Sequence, residues 1–261
     1  MIERVMSMRG RWKISAYIII IMVIIFLAGC GQENEKTEIH VLTAASMTPA
    51  MNELKELYES KNPYITIVPV YGGSGQLKDQ ISQGAPADVF LSAALRWMEE
   101  LNEAEEVEGY ENLLVNDLVA VSQIEAGFEM EGLDDLLNDE VDTVGIGDPS
   151  TVPAGEYAKQ GIEAAGIWKE MEDKLVFASD VRQVLTYVET GNVDVGIVYE
   201  TDVYGKENIQ IDYTLTNHEP IIYPVGLLAN SNHPGEAREF YEWLKTNEAL
   251  NVFESYGFGV Y

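Results

Sequence analysis

Cysteine, histidine and positive charge are scarce in this sequence. Its 261 residues include one cysteine, Cys30, and three histidines. A single cysteine excludes a disulfide framework, a cysteine-rich zinc site and a CxxC redox pair. The 16 lysines and arginines are outnumbered by 44 aspartates and glutamates, and the resulting net charge of -28 repels a polyphosphate backbone. We therefore expect no nucleic-acid partner.

The recognisable catalytic motifs are also missing. No H-E-x-x-H metal motif occurs, and the Gly205-Lys206 pair lacks the serine or threonine that completes a phosphate-binding loop. The glycine-rich segment around Ser74 approaches the G-x-S-x-G nucleophile elbow of hydrolases, but Gln76 stands where that motif requires glycine. We therefore predict that the chain is not an enzyme and keep a hydrolase that uses Ser74 as an alternative.

The N-terminus has the composition of an export signal. Four basic residues precede an apolar run over residues 18–28, which is shorter than the about 20 residues that span a bilayer. The run leads into Leu27-Ala28-Gly29-Cys30 and then into a polar stretch, and this order resembles a bacterial lipoprotein signal. The alternatives are a transmembrane anchor that includes Ala16 and Tyr17, and a buried free thiol at Cys30.

A lipoprotein signal implies cleavage after Gly29 and a diacylglycerol on the Cys30 sulfur. We therefore assign residues 1–29 to a signal peptide and residues 30–37 to a polar tether. The exported protein is then expected outside the cytoplasm, where its lipid holds it on the outer face of the cell membrane. In a Gram-negative cell this is the periplasmic side.

From residue 38 onward, predicted strands alternate with predicted helices. The chain is 46% hydrophobic, which is enough for a substantial core. The predicted strands cover residues 38–42, 64–70, 88–91, 118–121, 144–146, 193–199 and 221–228. The first predicted helix begins at Thr48, and the second contains Leu77 and Ile81. Three further helices are predicted at residues 154–165, 181–189 and 235–245. Strands separated by helices predict an α/β fold with parallel sheets. No linker after residue 37 is long enough to separate independent domains.

Several of these helices begin with small polar residues or proline at a strand-to-helix junction. A helix start leaves backbone N–H groups unpaired at its positive end, which suits a bound anion. Hydroxyls at Ser46 and Ser74 add donors, and because Pro153 has no N–H, the first amide available in its turn is that of Ala154. Ordinary capping explains each junction when it is taken alone. An anion site is favoured because several junctions follow parallel strands, whose carboxyl ends collect ligands.

The motifs at these junctions resemble those of a known family. They are Ala44–Thr48, the run from Gly73 to Phe90, Val152–Gly155, Asp180–Gln183, Gly196–Asp202, Tyr223–Val225 and Tyr256–Phe258. In this order they closely resemble the molybdate-binding proteins of bacterial ABC importers, and the resemblance covers nearly all of the chain from residue 38. Met47, where the family commonly has leucine, and Gly73 before Ser74 are small departures.

This resemblance implies a type II periplasmic binding protein fold with two α/β lobes and a ligand cleft between them. The first lobe is expected at residues 38–115 plus 222–261, and the second at residues 116–221. The implied donors to the oxyanion are side-chain or amide groups of Ser46 and Ser74, the backbone amides of Ala154 and Val181, and the hydroxyl of Tyr199. Ser46 and Ser74 belong to the first lobe and the other three to the second, so the anion bridges them.

The implied function is an extracytoplasmic lipoprotein that captures molybdate or tungstate and delivers it to the permease of an ABC importer. It works as a monomer without a cofactor, and no residue ligates a metal ion directly. A site that contains only donors disfavours phosphate, whose remaining proton needs an acceptor, but leaves sulfate as an alternative. Asp180 is expected to cap a helix rather than accept that proton. Arg182 is an alternative ligand contact, but we expect it to face solvent or to form an ion pair between the lobes.

Overall fold

The computed structural model describes residues 36–127 and 129–261. The predicted signal peptide, Cys30 and nearly all of the tether lie outside the described residues. In the described ranges, no helix combines the length and the apolar character needed to cross a bilayer. Residues 37–261 form one unit by their contacts.

Helices and strands alternate along this unit, which confirms the predicted α/β class. The strands are β1 Thr37–Ala44, β2 Ile65–Gly72, β3 Val89–Leu91, β4 Val107–Val115, β5 Leu118–Gln123, β6 Val144–Gly147, β7 Leu175–Ala178, β8 Val195–Tyr199, β9 Ile209–Leu215, β10 Ile222–Leu228 and β11 Gly259–Val260. The helices are α1 Thr48–Lys61, α2 Ser74–Ser82, α3 Leu95–Glu103, α4 Pro153–Ala164, α5 Trp168–Met171, α6 Val181–Glu189, α7 Glu200–Val203, α8 Pro234–Leu244 and α9 Asn247–Ser255. Short 3-10 turns occur at Ala45–Met47, Ile124–Ala126 and Leu133–Leu137.

The strands form two mixed sheets. The six-stranded sheet has the order β11-β4-β10-β3-β1-β2, and the five-stranded sheet has the order β7-β6-β8-β5-β9. Around β1 and β6 the pairing is parallel, as predicted. However, β10 pairs antiparallel with β3 and β4, and β5 pairs antiparallel with β8 and β9. The prediction of purely parallel sheets is therefore wrong for these strands.

The antiparallel strands occur where the chain passes from one sheet to the other. Only Asn116 and Asp117 separate β4 of the six-stranded sheet from β5 of the five-stranded sheet. The chain returns between β9 and β10. A strand that arrives from another sheet does not need the helical crossover that makes neighbouring strands parallel. The six-stranded sheet therefore takes its strands from residues 37–115 and 222–260, and the five-stranded sheet from residues 118–215.

The central parallel strands are buried and bring helix starts to common edges. Every residue of β8 is buried, as is the second half of β1. Helices cover both faces of such strands, which is why they are continuous apolar runs. In register, Ala44 pairs with Gly72 at the ends of β1 and β2, and Gly147 pairs with Ala178 at the ends of β6 and β7. The segments that follow each pair of strands therefore begin side by side.

Candidate anion-binding site

One small cavity is lined by all five residues that the sequence predicts as anion ligands. It holds about 190 Å3 of space not filled by protein atoms, including the part open to solvent. The space is small, so this cavity suits an ion of a few atoms. The lining residues are Ala44, Ala45, Ser46, Gly72, Gly73, Ser74, Ala93, Val152, Pro153, Ala154, Val181 and Tyr199.

Both sheets supply these residues through the segments that follow their strands. Ser46 lies two residues after the end of β1, and Ser74 lies two residues after the end of β2. Because Ala44 and Gly72 pair in register, the two serines follow adjacent strand ends. From the five-stranded sheet, Tyr199 ends β8, while Ala154 and Val181 lie in the first turns of α4 and α6.

The hydroxyl of Ser74 is held as a donor toward the cavity. The Ser74 side chain is fully buried, and its Oγ accepts a hydrogen bond from the Ala93 N–H at 3.0 Å. A hydroxyl carries one hydrogen and two lone pairs. Since the Ala93 amide occupies a lone pair, the hydroxyl hydrogen of Ser74 stays available to a ligand.

The Ser46 hydroxyl has one side-chain partner. Its Oγ lies 3.0 Å from the hydroxyl oxygen of Tyr223, and both residues are buried. Tyr223 stands on β10, and its ring packs edge to face against Tyr199, with the ring centroids 5.6 Å apart. Tyr223 therefore contacts both Ser46 and Tyr199, the tyrosine that lines the cavity.

Tyr199 brings a buried hydroxyl to the cavity. The residue is 1% exposed, and among the described residues its hydroxyl oxygen has no hydrogen-bond partner. Burial raises the pKa of Tyr199 well above its ordinary value, so the phenol keeps its proton. A buried hydroxyl left unpaired costs stability, and a ligand oxygen in the cavity is a suitable acceptor.

Backbone amides supply the remaining donors. Val181 is the first residue of α6 and Ala154 the second residue of α4, directly after Pro153. Amides in the first turn of a helix have no acceptor within the helix. The Oδ1 of Asp180 accepts from the Gln183 N–H at 2.9 Å, which confirms the prediction that Asp180 caps α6.

The cavity lining contains neither a cation nor a carboxylate. Arg182 lies outside it, with its Nη1 3.6 Å from the Oδ1 of Asp202. Both residues lie on helices that follow strands of the five-stranded sheet. This ion pair therefore does not join the two sheets, contrary to one of the two expectations for Arg182. In the part of the chain that is described, no cluster of three or more His, Cys, Asp or Glu side chains could hold a metal ion.

Segments that follow strands of the six-stranded sheet contact segments that follow strands of the five-stranded sheet close to the cavity. The sequence did not predict these contacts. The Gly75 N–H donates to the carbonyl oxygen of Thr151 at 2.9 Å. The Gln76 Nε2 donates to the Ser179 carbonyl oxygen at 3.2 Å. An ion pair joins the Nε of Arg96 on α3 to the Oε2 of Glu156 on α4 at 2.9 Å. Burial raises the pKa of Glu156, and the charge of Arg96 opposes that rise. Partners so distant in sequence leave no local pattern to detect.

The surroundings of Ser74 do not support the hydrolase alternative. A serine nucleophile needs a base within hydrogen-bond reach to take its proton. The partner of Ser74 is the Ala93 amide, which is itself a donor, and the cavity lining contains no histidine. The geometry fits binding of a ligand better than attack on one.

Comparison with known proteins agrees with a binding role. Residues 39–259 match the family described as bacterial extracellular solute-binding proteins. The chain is 38% identical to YvgL of Bacillus subtilis, over 94% of this chain and 98% of that protein. YvgL carries the provisional name of an ABC transporter substrate-binding lipoprotein. It is 31% identical to the molybdate-binding protein ModA of Haemophilus influenzae, over 90% of this chain and 95% of that protein.

A solved structure shares both fold and sequence with this chain. It is the substrate-binding domain of a provisionally named molybdenum ABC transporter from Clostridium difficile, with 34% identity and a TM-score of 0.65 over 86% of this chain and 99% of that one. The matched range includes every residue that lines the cavity and all of both sheets except the outer ends of β1 and β11. The chain therefore belongs to the bacterial extracellular solute-binding proteins.

Proposed function

We propose that this protein is a lipid-anchored solute-binding protein that captures molybdate or tungstate and delivers it to the permease of an ABC importer. The observation that carries this proposal is a cavity of about 190 Å3 into which two serines, one tyrosine and two helix starts bring donors without any charged side chain. The ion is bound and released without chemical conversion. The related ModA and the molybdenum transporter domain support the choice of ligand.

Neutral donors suit a dianion in this cavity. Hydrogen bonds to a charged acceptor are roughly twice as strong as neutral ones, so amides and hydroxyls hold the ion without lysine or arginine. The net charge of -28 opposes binding less than its size suggests, because salt screens exposed charges beyond about 8 Å at physiological ionic strength. Hydrogen phosphate brings a proton for which the lining offers no carboxylate. Sulfate has the same charge and shape as molybdate and is the second candidate ligand.

The proposed lobes are residues 38–115 with 222–261, and residues 116–221. Ser46 and Ser74 belong to the first, and Ala154, Val181 and Tyr199 to the second. A bound ion that accepts from both groups holds the lobes together, which is how ligand binding drives hinge closure. The proposed partners are a membrane permease and, through the lipid on Cys30, the membrane itself. We propose that the protein acts as a monomer.

The first test is a calorimetric titration of the purified protein with molybdate, tungstate, sulfate and phosphate. We expect tight binding of molybdate and tungstate, weaker binding of sulfate, and little binding of phosphate, because the cavity lining contains no carboxylate to accept its proton. Phosphate as the tightest ligand, or no binding of any of the four ions, would refute the proposed ligand class.

Replacing either serine is expected to weaken binding. Ser46→Ala and Ser74→Ala each remove a buried hydrogen bond to a charged ligand, which costs about 1 to 3 kcal/mol of binding free energy. Ser74→Ala is also expected to lower the free energy of unfolding, since the Ala93 amide loses its acceptor. Ser60→Ala is the matched control, because the exposed Ser60 hydroxyl contacts only the Leu57 carbonyl oxygen. Unchanged calorimetric affinity in both serine variants would reject their assignment as ligands.

A further inference from the structure

A chain of buried hydrogen bonds runs behind Ser46, away from the cavity. The hydroxyl oxygen of Tyr223 lies 3.0 Å from the Ser46 Oγ and 3.2 Å from the Nδ2 of Asn116. The same Nδ2 lies 2.8 Å from the Thr201 Oγ1. Tyr223 and Asn116 do not line the cavity. They come from β10 and from the two-residue connection between the sheets.

The orientation of the Asn116 amide follows from its backbone neighbour. The Asp117 N–H donates to the Oδ1 of Asn116 at 2.9 Å. An N–H can only donate, so the oxygen of the amide must face it and the NH2 group must face Tyr223 and Thr201. The two hydrogens of Nδ2 then serve these two hydroxyl oxygens, and Nδ2 itself cannot accept.

The orientation of the Asn116 amide sets the direction of the hydrogen bonds that link Tyr223 to Ser46. Tyr223 accepts from Asn116, so the acceptor left for its own hydrogen is the Ser46 Oγ. Tyr223 is 1% exposed and is packed edge to face by Phe258 at 5.4 Å as well as by Tyr199. Burial also raises its pKa well above the ordinary value, so the hydroxyl hydrogen stays in place. Ser46 accepts that hydrogen and can direct its own hydrogen only toward the cavity.

We infer that Tyr223 and Asn116 are positioning residues that hold the Ser46 hydroxyl as a donor and thereby select fully deprotonated oxyanions over protonated ones. The assignment rests on the proposed function. If either serine accepted the proton of hydrogen phosphate through its second lone pair, its own hydrogen would have no acceptor among the described residues. Without the Tyr223 hydroxyl, Ser46 is free to rotate and to accept that proton.

The test is Tyr223→Phe, which removes the hydroxyl and keeps the ring. We expect molybdate affinity, measured by calorimetry at pH 7, to fall about fivefold to tenfold, the value of one buried hydrogen bond. Phosphate affinity, measured by competition with molybdate, is expected to stay the same or rise, so the ratio of the two affinities falls. Tyr241→Phe on α8 is the matched control, because it removes the hydroxyl of another buried tyrosine that does not line the cavity.

A second variant and a double-mutant cycle separate this role from a purely structural one. Asn116→Ala leaves Tyr223 intact but frees the direction of its hydroxyl, and it is expected to lower the same ratio. In a Ser46→Ala background, Tyr223→Phe should cause no further loss of molybdate affinity. An equal loss for molybdate and phosphate, or additive effects in the cycle, would overturn the inference. A wild-type protein that bound none of these anions would instead refute the proposed function.

Discussion

Gly75→Ala is expected to weaken molybdate binding by about a hundredfold or more. Gly75 is the second residue of α2, directly after Ser74, and its N–H donates to the Thr151 carbonyl oxygen at 2.9 Å. A Cβ at this position would lie 2.8 Å from that oxygen and 2.9 Å from the Thr151 Cα. Such distances to backbone atoms are too short for any real Cβ, so α2 and the Thr151 segment would have to separate.

The size of this effect follows from the contacts that separation removes. Overpacking of a close contact costs about 1–3 kcal/mol, and the lost hydrogen bond between Gly75 and Thr151 adds about 1 kcal/mol. A total of about 3 kcal/mol corresponds to roughly a hundredfold in affinity. Since Ser74 directly precedes Gly75 and Ala154 lies three residues after Thr151, separation would also pull apart two of the proposed donors to the anion.

Calorimetry would measure the loss of molybdate affinity. Small-angle scattering with and without molybdate would measure how far the protein contracts when the ion binds. The wild type is expected to contract when molybdate is added, and Gly75→Ala is expected to contract less at equal ion concentration. Gly235→Ala is the matched control, because Gly235 is likewise the second residue of a helix, α8, and a Cβ there meets no atom within 4 Å. An affinity of Gly75→Ala within twofold of wild type would show that this close approach is not needed for binding.

Secondary structure in this chain is predictable where burial leaves a periodic pattern. The sequence predicts α6 with its observed bounds, because Val181, Val184, Leu185 and Val188 repeat at helical spacing and are all buried. By contrast, β4 and β9 carry mixed burial patterns and no strong period. Their place in the sheets depends on antiparallel pairing with β10 and β5, which are distant in sequence. Sequence-local reasoning therefore predicts α6 and the central parallel strands but misses β4 and β9. It also misses the parallel edge strand β7 and the helices α3 and α9.

The same distinction applies to the cavity. Ser46, Ser74, Ala154 and Val181 can be placed at the ends of elements from local sequence, because capping and proline signals mark those ends. These four residues meet in one cavity because β1 and β2 pair in register and because the two sheets approach each other there. Nothing in the local sequence shows that Ala93, Tyr223 and Asn116 are the partners that orient the serines.

Asp202 makes the stability of the fold depend on pH near neutrality. Its side chain is fully buried, and its Oδ2 accepts from the Tyr199 N–H at 3.3 Å. The Oδ1 has no hydrogen-bond partner among the described residues, and Arg182 is 3.6 Å away. Burial raises the pKa of Asp202 to about 7, although the charge of Arg182 opposes the rise. The folded protein therefore holds a proton on this carboxyl group that the unfolded chain loses near pH 4.

A carboxyl pKa that is raised by folding stabilises the folded state only while the group is protonated. The contribution of Asp202 is complete below about pH 4 and is lost as the pH rises to about 7, because the unfolded chain then ionises more easily than the folded one. Each tenfold difference between the two acid dissociation constants is worth about 1.4 kcal/mol, so the loss between pH 5 and pH 8 amounts to about 3 kcal/mol. The same carboxyl group holds the backbone of Tyr199, whose hydroxyl is a proposed donor to the anion.

Asp202→Asn is expected to remove this pH dependence. Asparagine stays neutral and retains an oxygen for the Tyr199 amide, while Arg182 is one-third exposed and can turn to solvent. Measured by urea unfolding, the stability of the variant relative to wild type should therefore increase by about 3 kcal/mol from pH 5 to pH 8. Asp139→Asn, at an exposed site, controls for the lost negative charge. A constant difference between Asp202→Asn and wild type from pH 5 to pH 8 would mean that Asp202 ionises normally, and that Arg182 compensates its burial in full.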